Sequence, residues 1–352
     1  MASYDFTTLA RENCADLAPG LSDCYAQLRG TVRSPDYWRW RYLDGPDGPS
    51  CLVVASYEGR VVGMLGTVYV ACSVRGERRS SALLGDLNVD PEHRRWACYA
   101  GLLRTSAESP AHRDVPFAFA FVTRGFAAWA PRFGCVDLGP VPAFTGVFGA
   151  DHLLEGLGVP TAVARLGRLA APLCLRTQRS RGSRGLEVRP LDGAGELADG
   201  PAAGGWGAGA VLAQRDAAYL TWRYDACPDA DYTVLAASEA GVPVGVAVFR
   251  VDESRRRAYL AELCASPDRA DVLDVLLDAV LTRMADGGAG VVTASFPVGS
   301  GQGRALSARR FGLWATPLWG MRLATFPYSV GSGHPSLRRS DWFFSLGDWL
   351  TH

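Results

Sequence analysis

Lysine is absent from this 352-residue chain, and so is isoleucine; all 36 basic residues are arginine. Without a lysine amine there is no Schiff-base chemistry and no phosphate-loop lysine, which excludes pyridoxal-phosphate enzymes and Walker-type nucleotide hydrolases. Paired cysteines are missing too. The nine cysteines (14, 24, 51, 72, 98, 135, 174, 227 and 264) contain no C-x-x-C pair, and an odd count without a signal peptide argues against a disulfide framework. The five histidines (93, 112, 152, 334 and 352) show no close metal-ligand spacing, so no metal is expected. No stretch approaches the ~20 apolar residues of a membrane span, and no basic region followed by an apolar run opens the chain. The expectation is a cytoplasmic protein without a membrane partner. Acidic and basic residues cancel at 36 each, so net charge gives nucleic acid no hold as a partner.

What is present is a globular composition, 48% apolar and 20% charged, in a chain long enough for two domains with cores of their own. The order of residues repeats. Tyr37-Trp38-Arg39-Trp40-Arg41-Tyr42 recurs as Tyr219-Leu220-Thr221-Trp222-Arg223-Tyr224, a shift of 182. At the same shift Leu52-Val53-Val54-Ala55 falls on Val234-Leu235-Ala236-Ala237, Gly59 on Gly241 and Gly63 on Gly245. Leu87-Asn88-Val89-Asp90-Pro91 falls on Leu263-Cys264-Ala265-Ser266-Pro267 at 176, and Arg132-Phe133-Gly134 on Arg310-Phe311-Gly312 at 178. Matching elements in one order with small length changes indicate a duplication.

Each copy reads as a helix ending in the W-R-Y run, then a hairpin about a glycine turn (51–57 with 60–70; 233–238 with 242–251). A strand breaking at proline follows (83–89; 259–264), then a helix (92–107; 270–285), a strand (117–123; 290–296) and a short helix closing at F-G. Strand, crossover helix and strand imply one parallel pair within a mostly antiparallel α/β sheet. The expected division is residues 1–150, a helix and polar linker over 151–185, and residues 186–352. The stretch 153–175 is the expected helix, and 176–185 the linker.

This order resembles the GNAT acyltransferase superfamily, whose pattern of V-x-P followed by an R-G-x-G-x-G/A turn and a leucine-rich helix is matched here by Val89-Asp90-Pro91-Glu92-His93-Arg94-Arg95-Trp96-Ala97-Cys98-Tyr99. The resemblance implies two tandem GNAT-like domains and an acyl-CoA (acetyl-CoA) or acyl-carrier thioester as co-substrate. It implies that Leu87, Asn88 and Val89 meet the pantetheine arm, and that Arg94, Arg95, Trp96, Ala97, Cys98 and Tyr99 surround the pyrophosphate at a helix N-terminus. Arg95, Ala97 and Tyr99 stand where the family has glycine, and the two arginines offer charge-assisted contacts instead. The second copy continues Asp268-Arg269-Ala270-Asp271 after its proline, acidic where a pyrophosphate would sit. The family's thiolate-protonating tyrosine falls at Ala130 and at Ala308. The first copy is therefore expected to bind the donor and the second to shape the acceptor site.

Acylation of an amine needs a base and oxyanion donors. Asp86, on the fourth strand where the family often keeps its base, is the catalytic candidate; the alternative is an acid paired with arginine. Glu262 is its counterpart in the second copy and a candidate for the acceptor site. Tyr37 and Trp40 could stack on an acceptor, or serve as packing between domains. Residues 340–349 read as a final strand and a Gly-Asp turn, with Asp348 either anchoring the acceptor amine or solvated. The expected function is N-acyl transfer to a small-molecule amine such as an amino sugar or a natural-product intermediate. A FemX-like aminoacyl-tRNA-dependent transferase and a GNAT-like protein without acyl transfer are the alternatives.

Overall fold

The structure, a computed structural model, describes residues 3–48, 50–109, 112, 114–149, 174–175, 185–197, 209–266, 268–313 and 320–348. Nearly all of the expected 153–175 helix and 176–185 linker, and Pro267 and Trp349, lie outside the described residues.

In the first copy, β1 (Asp5–Thr8), α1 (Cys14–Arg29) and α2 (Pro35–Leu43) precede β2 (Cys51–Tyr57), β3 (Arg60–Val74) and β4 (Glu77–Val89). Then come α3 (Trp96–Ala107), β5 (Phe117–Thr123), α4 (Arg124–Ala127), β6 (Val136–Pro140) and β7 (Phe144–Val147). The second copy runs β8 (Leu186–Pro190), β9 (Val211–Ala213), α5 (Ala217–Leu220), β10 (Thr233–Glu239), β11 (Val242–Asp252) and β12 (Arg257–Ala265). It closes with α6 (Ala270–Asp286), β13 (Val291–Ala294), α7 (Gly301–Ala308), β14 (Gly312–Leu313) and β15 (Met321–Pro327).

Local chemistry sets these elements. Glu58-Gly59 and Ala240-Gly241 both take positive φ, 50° and 77° in the first pair and 50° and 80° in the second, as a two-residue hairpin with right-handed strand twist requires. The duplication reaches the helix caps. Ser34 accepts from the Tyr37 amide, and Asp216, 182 residues on, accepts from the Tyr219 amide. Helix α6 buries Val272, Leu273, Leu276, Leu277, Val280, Leu281 and Met284 against the second sheet. These are the 3–4-spaced positions of one helical face, each contributing about 1.5–3 kcal/mol on burial.

Two mixed sheets result. The first runs β1-β2-β3-β4-β5-β15-β6 with β9 beside β3; the second runs β14-β7-β13-β12-β11-β10-β8. Each holds one parallel pair, β4 with β5 and β12 with β13. The copies exchange strands. β15, from the second half of the chain, lies between β5 and β6, while β7, from the first half, lies between β13 and β14.

The interface between the copies carries the duplicated aromatics. Trp40 and Trp222 stack at 5.2 Å, and each indole donates to the other's backbone carbonyl, at 2.6 and 2.9 Å. The C-terminal stretch is not the expected strand: Trp342 makes a single bridge to Val211, flanked by 3₁₀ turns at Arg339–Asp341 and Leu346–Asp348. Its alternating rings are shared between the two sheets instead. Trp342 and Phe344 pack on Phe119 and Phe121 of β5, whereas Phe343 turns to Phe296 in the second copy.

Candidate active site

Strands β4 and β5 pair only from Ala82 with Ala118 to Leu84 with Ala120. Beyond that point β4 bulges: Gly66 of β3 faces Gly85 and Met64 faces Asn88, so Leu65 alone spans Asp86 and Leu87. Asp86 absorbs the extra residue at φ 48°, a left-handed conformation that costs a non-glycine residue about 1–2 kcal/mol. The diverging strands open a cleft of about 850 Å³. Gly85, Asp86 and Leu87 line one wall and Phe121, Val122 and Thr123 the other. Strand backbone released from pairing can hydrogen-bond an extended amide-bearing chain laid between the walls.

Asp86 is fixed from behind. The Tyr42 hydroxyl donates to its Oδ2 at 2.6 Å, and Arg41 Nε lies 3.2 Å from the same oxygen. Both charged side chains are 1% exposed, and Asp86 Oδ1 has no hydrogen-bond partner. Tyr42 reaches the carboxylate by crossing β3 at Gly66, where a Cβ would overlap its hydroxyl. Burial pushes the Tyr42 phenol well above its ordinary value, so it keeps its proton and acts as a donor. Burial opposes the Arg41 charge, yet Asp86 and the phenols of Tyr37 and Tyr42 outweigh it and hold Arg41 cationic. The result is a positioned carboxylate at the cleft wall with one oxygen left to accept a proton.

The second copy repeats the pair and closes the space. The Tyr224 hydroxyl donates to Glu262 Oε1 at 2.7 Å, as does Arg215 Nε at 2.9 Å. Arg215 Nη2 also grips both oxygens of Asp348, at 3.0 and 2.9 Å, and the Ser345 amide donates to Asp348 at 2.8 Å. Gly347 sits against this pair so tightly that a Cβ would overlap the Tyr224 hydroxyl and the Glu262 carboxylate. Burial pushes the Glu262 carboxyl up, against the pull of Arg215. The arginines have changed places between copies. Arg33 and Arg215 are 182 residues apart, as are Arg41 and Arg223, but Asp86 is met by Arg41 and Glu262 by Arg215.

Residues 21–135, inside the first copy, match the family model of the acetyltransferase (GNAT) domain. The first copy carries a GNAT acetyltransferase domain, and the second copy repeats its fold. Solved structures agree in fold. Saccharomyces cerevisiae N-myristoyltransferase with bound myristoyl-CoA and inhibitors is 13% identical, with a TM-score of 0.62 over 93% of this chain and 80% of that one. A second structure of the yeast enzyme with bound myristoyl-CoA gives 12%, 0.63, 97% and 84%. A conserved protein of Enterococcus faecalis V583 described as a probable N-acyltransferase gives 9%, 0.55, 93% and 71%. No curated protein matches the chain in sequence.

In the first GNAT domain Arg94 and Arg95 precede α3 and Trp96 and Ala97 open it, all four exposed. Arg95 caps the helix in an extended conformation without a side-chain cap; the Cys98 and Tyr99 amides donate to its carbonyl at 3.1 and 3.3 Å, which leaves the Trp96 and Ala97 amides for another acceptor. Arg94 donates to the Val89 carbonyl at 3.1 Å, Trp96 stacks on Phe133 at 5.1 Å, and Tyr99 meets Trp129 edge-on at 5.2 Å. These exposed groups fit a phosphate-bearing ligand, and the parted β4 and β5 backbones fit its extended arm. Of the rest, Leu87 lines the cleft, whereas Val89 and Cys98 are buried together in the core. Asn88 is held by Arg29 Nε at 2.7 Å.

Three acceptor candidates lie away from this cleft. Tyr37 is buried against Trp38 and Trp40 with its hydroxyl on Arg41, Trp40 lies in the stacked interface, and Glu262 is fully buried; none lines the cleft. Tyr37 and Trp40 take the packing alternative, and the charge of Glu262 is taken up by Arg215. Asp348 does line the cleft, 3% exposed and ion-paired. Reading the sequence missed Tyr42 as the donor to Asp86, although its duplication as Tyr224 was visible. It also missed the cleft arginines at 29, 33, 250 and 257, which the fold gathers from both copies. Among the described residues no helix is long and apolar enough to cross a membrane, and no cluster of His, Cys, Asp and Glu could hold a metal.

Proposed function

We propose that the first GNAT domain transfers an acyl group from an acyl-CoA directly to the amine of a small molecule, with Asp86 as the base. The observation that carries this reading is the opened β4–β5 cleft with a buried, anchored carboxylate at the bulge and one oxygen of it unpartnered. The donor supplies the activated thioester. Leu87 and the facing β5 residues hold its arm, Arg94 and Arg95 its phosphates, and the β4 bulge aligns the reacting carbonyl. Asp86 Oδ1 takes the proton that the amine nitrogen loses as the C–N bond forms and the C–S bond breaks; that proton then leaves to the released sulfur or to solvent. Tyr42 and Arg41 keep Asp86 in place throughout.

The N-myristoyltransferase likeness shows fold alone, so the donor is sought with acyl-CoAs from acetyl to myristoyl. Release of the CoA thiol in the presence of an amine panel tests the reading, alongside thermal shift. A bound acyl-CoA at 100 times its Kd should add about 2.7 kcal/mol of stability. No shift with any acyl-CoA, together with no thiol release, would sink it.

A further inference from the structure

The cleft is walled by more positive charge than its own carboxylates balance. Each aspartate on it has an arginine: Asp86 has Arg41 at 3.2 Å, Asp229 has Arg33 at 3.6 Å, Asp252 has Arg255 at 3.8 Å, and Asp348 has Arg215 at 2.9 Å. Three further arginines line the same cleft, Arg29 from the end of α1 and Arg250 and Arg257 from β11 and β12. Among the described residues none of the three has a carboxylate within ion-pair distance. Arg29 donates to the neutral Asn88 amide oxygen. Arg250 lies over the Tyr259 ring at 4.8 Å, and its Nε is buried without a partner. A buried N–H left unpaired is costly, and like charges gathered in a low-dielectric cleft repel, so both terms favour an anion from outside the chain. The total charge of the protein is zero, which makes this excess a local feature.

Resting on the acyltransferase reading, we infer that the acceptor amine carries an anionic group, a carboxylate or a phosphate, held at the cleft by Arg250, Arg257 and Arg29. Arg94 and Arg95, which serve the donor's phosphates, do not line this cleft, so the two anion sites are separate. Asn88 joins the two ends of the acceptor site: it accepts from Arg29 and donates to the Asp86 carbonyl at 3.2 Å. The anion therefore lies about one side chain away from the proposed base, which suits a small acceptor such as an amino acid or an amino-sugar phosphate. The second GNAT domain contributes two of the three arginines, and this gives the plugged copy a role in choosing the acceptor.

The test compares matched acceptors on the full chain: amino acids against their amides, and glucosamine 6-phosphate against glucosamine. Thiol release and calorimetric binding are measured for wild type, Arg250→Gln, Arg257→Gln and the surface control Arg283→Gln. The anionic members should be preferred, and the cleft variants should raise the acceptor KM about tenfold or more, with acyl-CoA KM and the neutral acceptors unaffected. Arg283→Gln should behave as wild type. A preference for amino acids over amides assigns a carboxylate, and a preference for the phosphorylated sugar assigns a phosphate. Equal use of charged and neutral acceptors, or a rise in acyl-CoA KM instead, would overturn the assignment while leaving acyl transfer standing. Thiol release without any binding of an anionic member would overturn it as well.

Discussion

Asp86 and Glu262 occupy equivalent places in two copies of one fold, each bonded by a tyrosine from the same duplicated run, yet their surroundings differ in kind. Asp86 faces an open cleft; Glu262 is fully buried beneath the chain's own C-terminal segment. The tail supplies Gly347 and Asp348, and Asp348 engages Arg215 where the first copy offers a ligand-sized space. The strands differ as well: Asp86 lies in the β4 bulge at φ 48°, whereas Glu262 pairs in register with Val248 and the β12 irregularity falls at Ala261.

Exchanging the roles experimentally is the sharpest way to break this comparison. Asp86→Asn should lower kcat by about 10²- to 10⁴-fold with acyl-CoA affinity preserved, as expected for loss of a general base; an unchanged rate in thiol release removes Asp86 from the mechanism. Glu262→Gln should leave kcat within about twofold. Arg215→Ala should act on stability instead, costing about 3–5 kcal/mol by denaturant unfolding, because it strands two buried carboxylates. Gly347→Ala should cost about 1–3 kcal/mol by forcing the tail off the Tyr224–Glu262 pair. Faster proteolysis of the C-terminus would report that movement, and unchanged proteolysis and stability would show that the close fit is dispensable.

The smallest effect is on pH dependence. Burial raises the Glu262 carboxyl above its ordinary value in the folded state. The folded protein therefore binds the proton more readily than the unfolded chain, and stability falls as pH rises through the raised value. Wild type should gain stability as pH is lowered from that value toward the ordinary glutamate value of about 4.3. Glu262→Gln, neutral at every pH, should flatten this part of the profile; equal slopes for the two proteins would reject the assignment.

Sequence periodicity and spacing determined the duplication, the hairpins about Gly59 and Gly241, the helix-bearing crossover in each copy and the single parallel pair, because all of these depend on residues close in the chain. They also put Asp86 on the strand that bulges. Tertiary structure alone decided which carboxylate lines the cleft, since that depends on a tail some 260 residues away from Asp86 and on which arginine reaches each acid. The exchange of β7 and β15 was equally out of reach: a four-residue strand pairs as well in either sheet by its own pattern, and only the packing of both copies selects the partner. The cleft arginines show the same limit. Position 29 and positions 250 and 257 have no local signal in common, and their charges become one feature only when the fold brings two copies face to face.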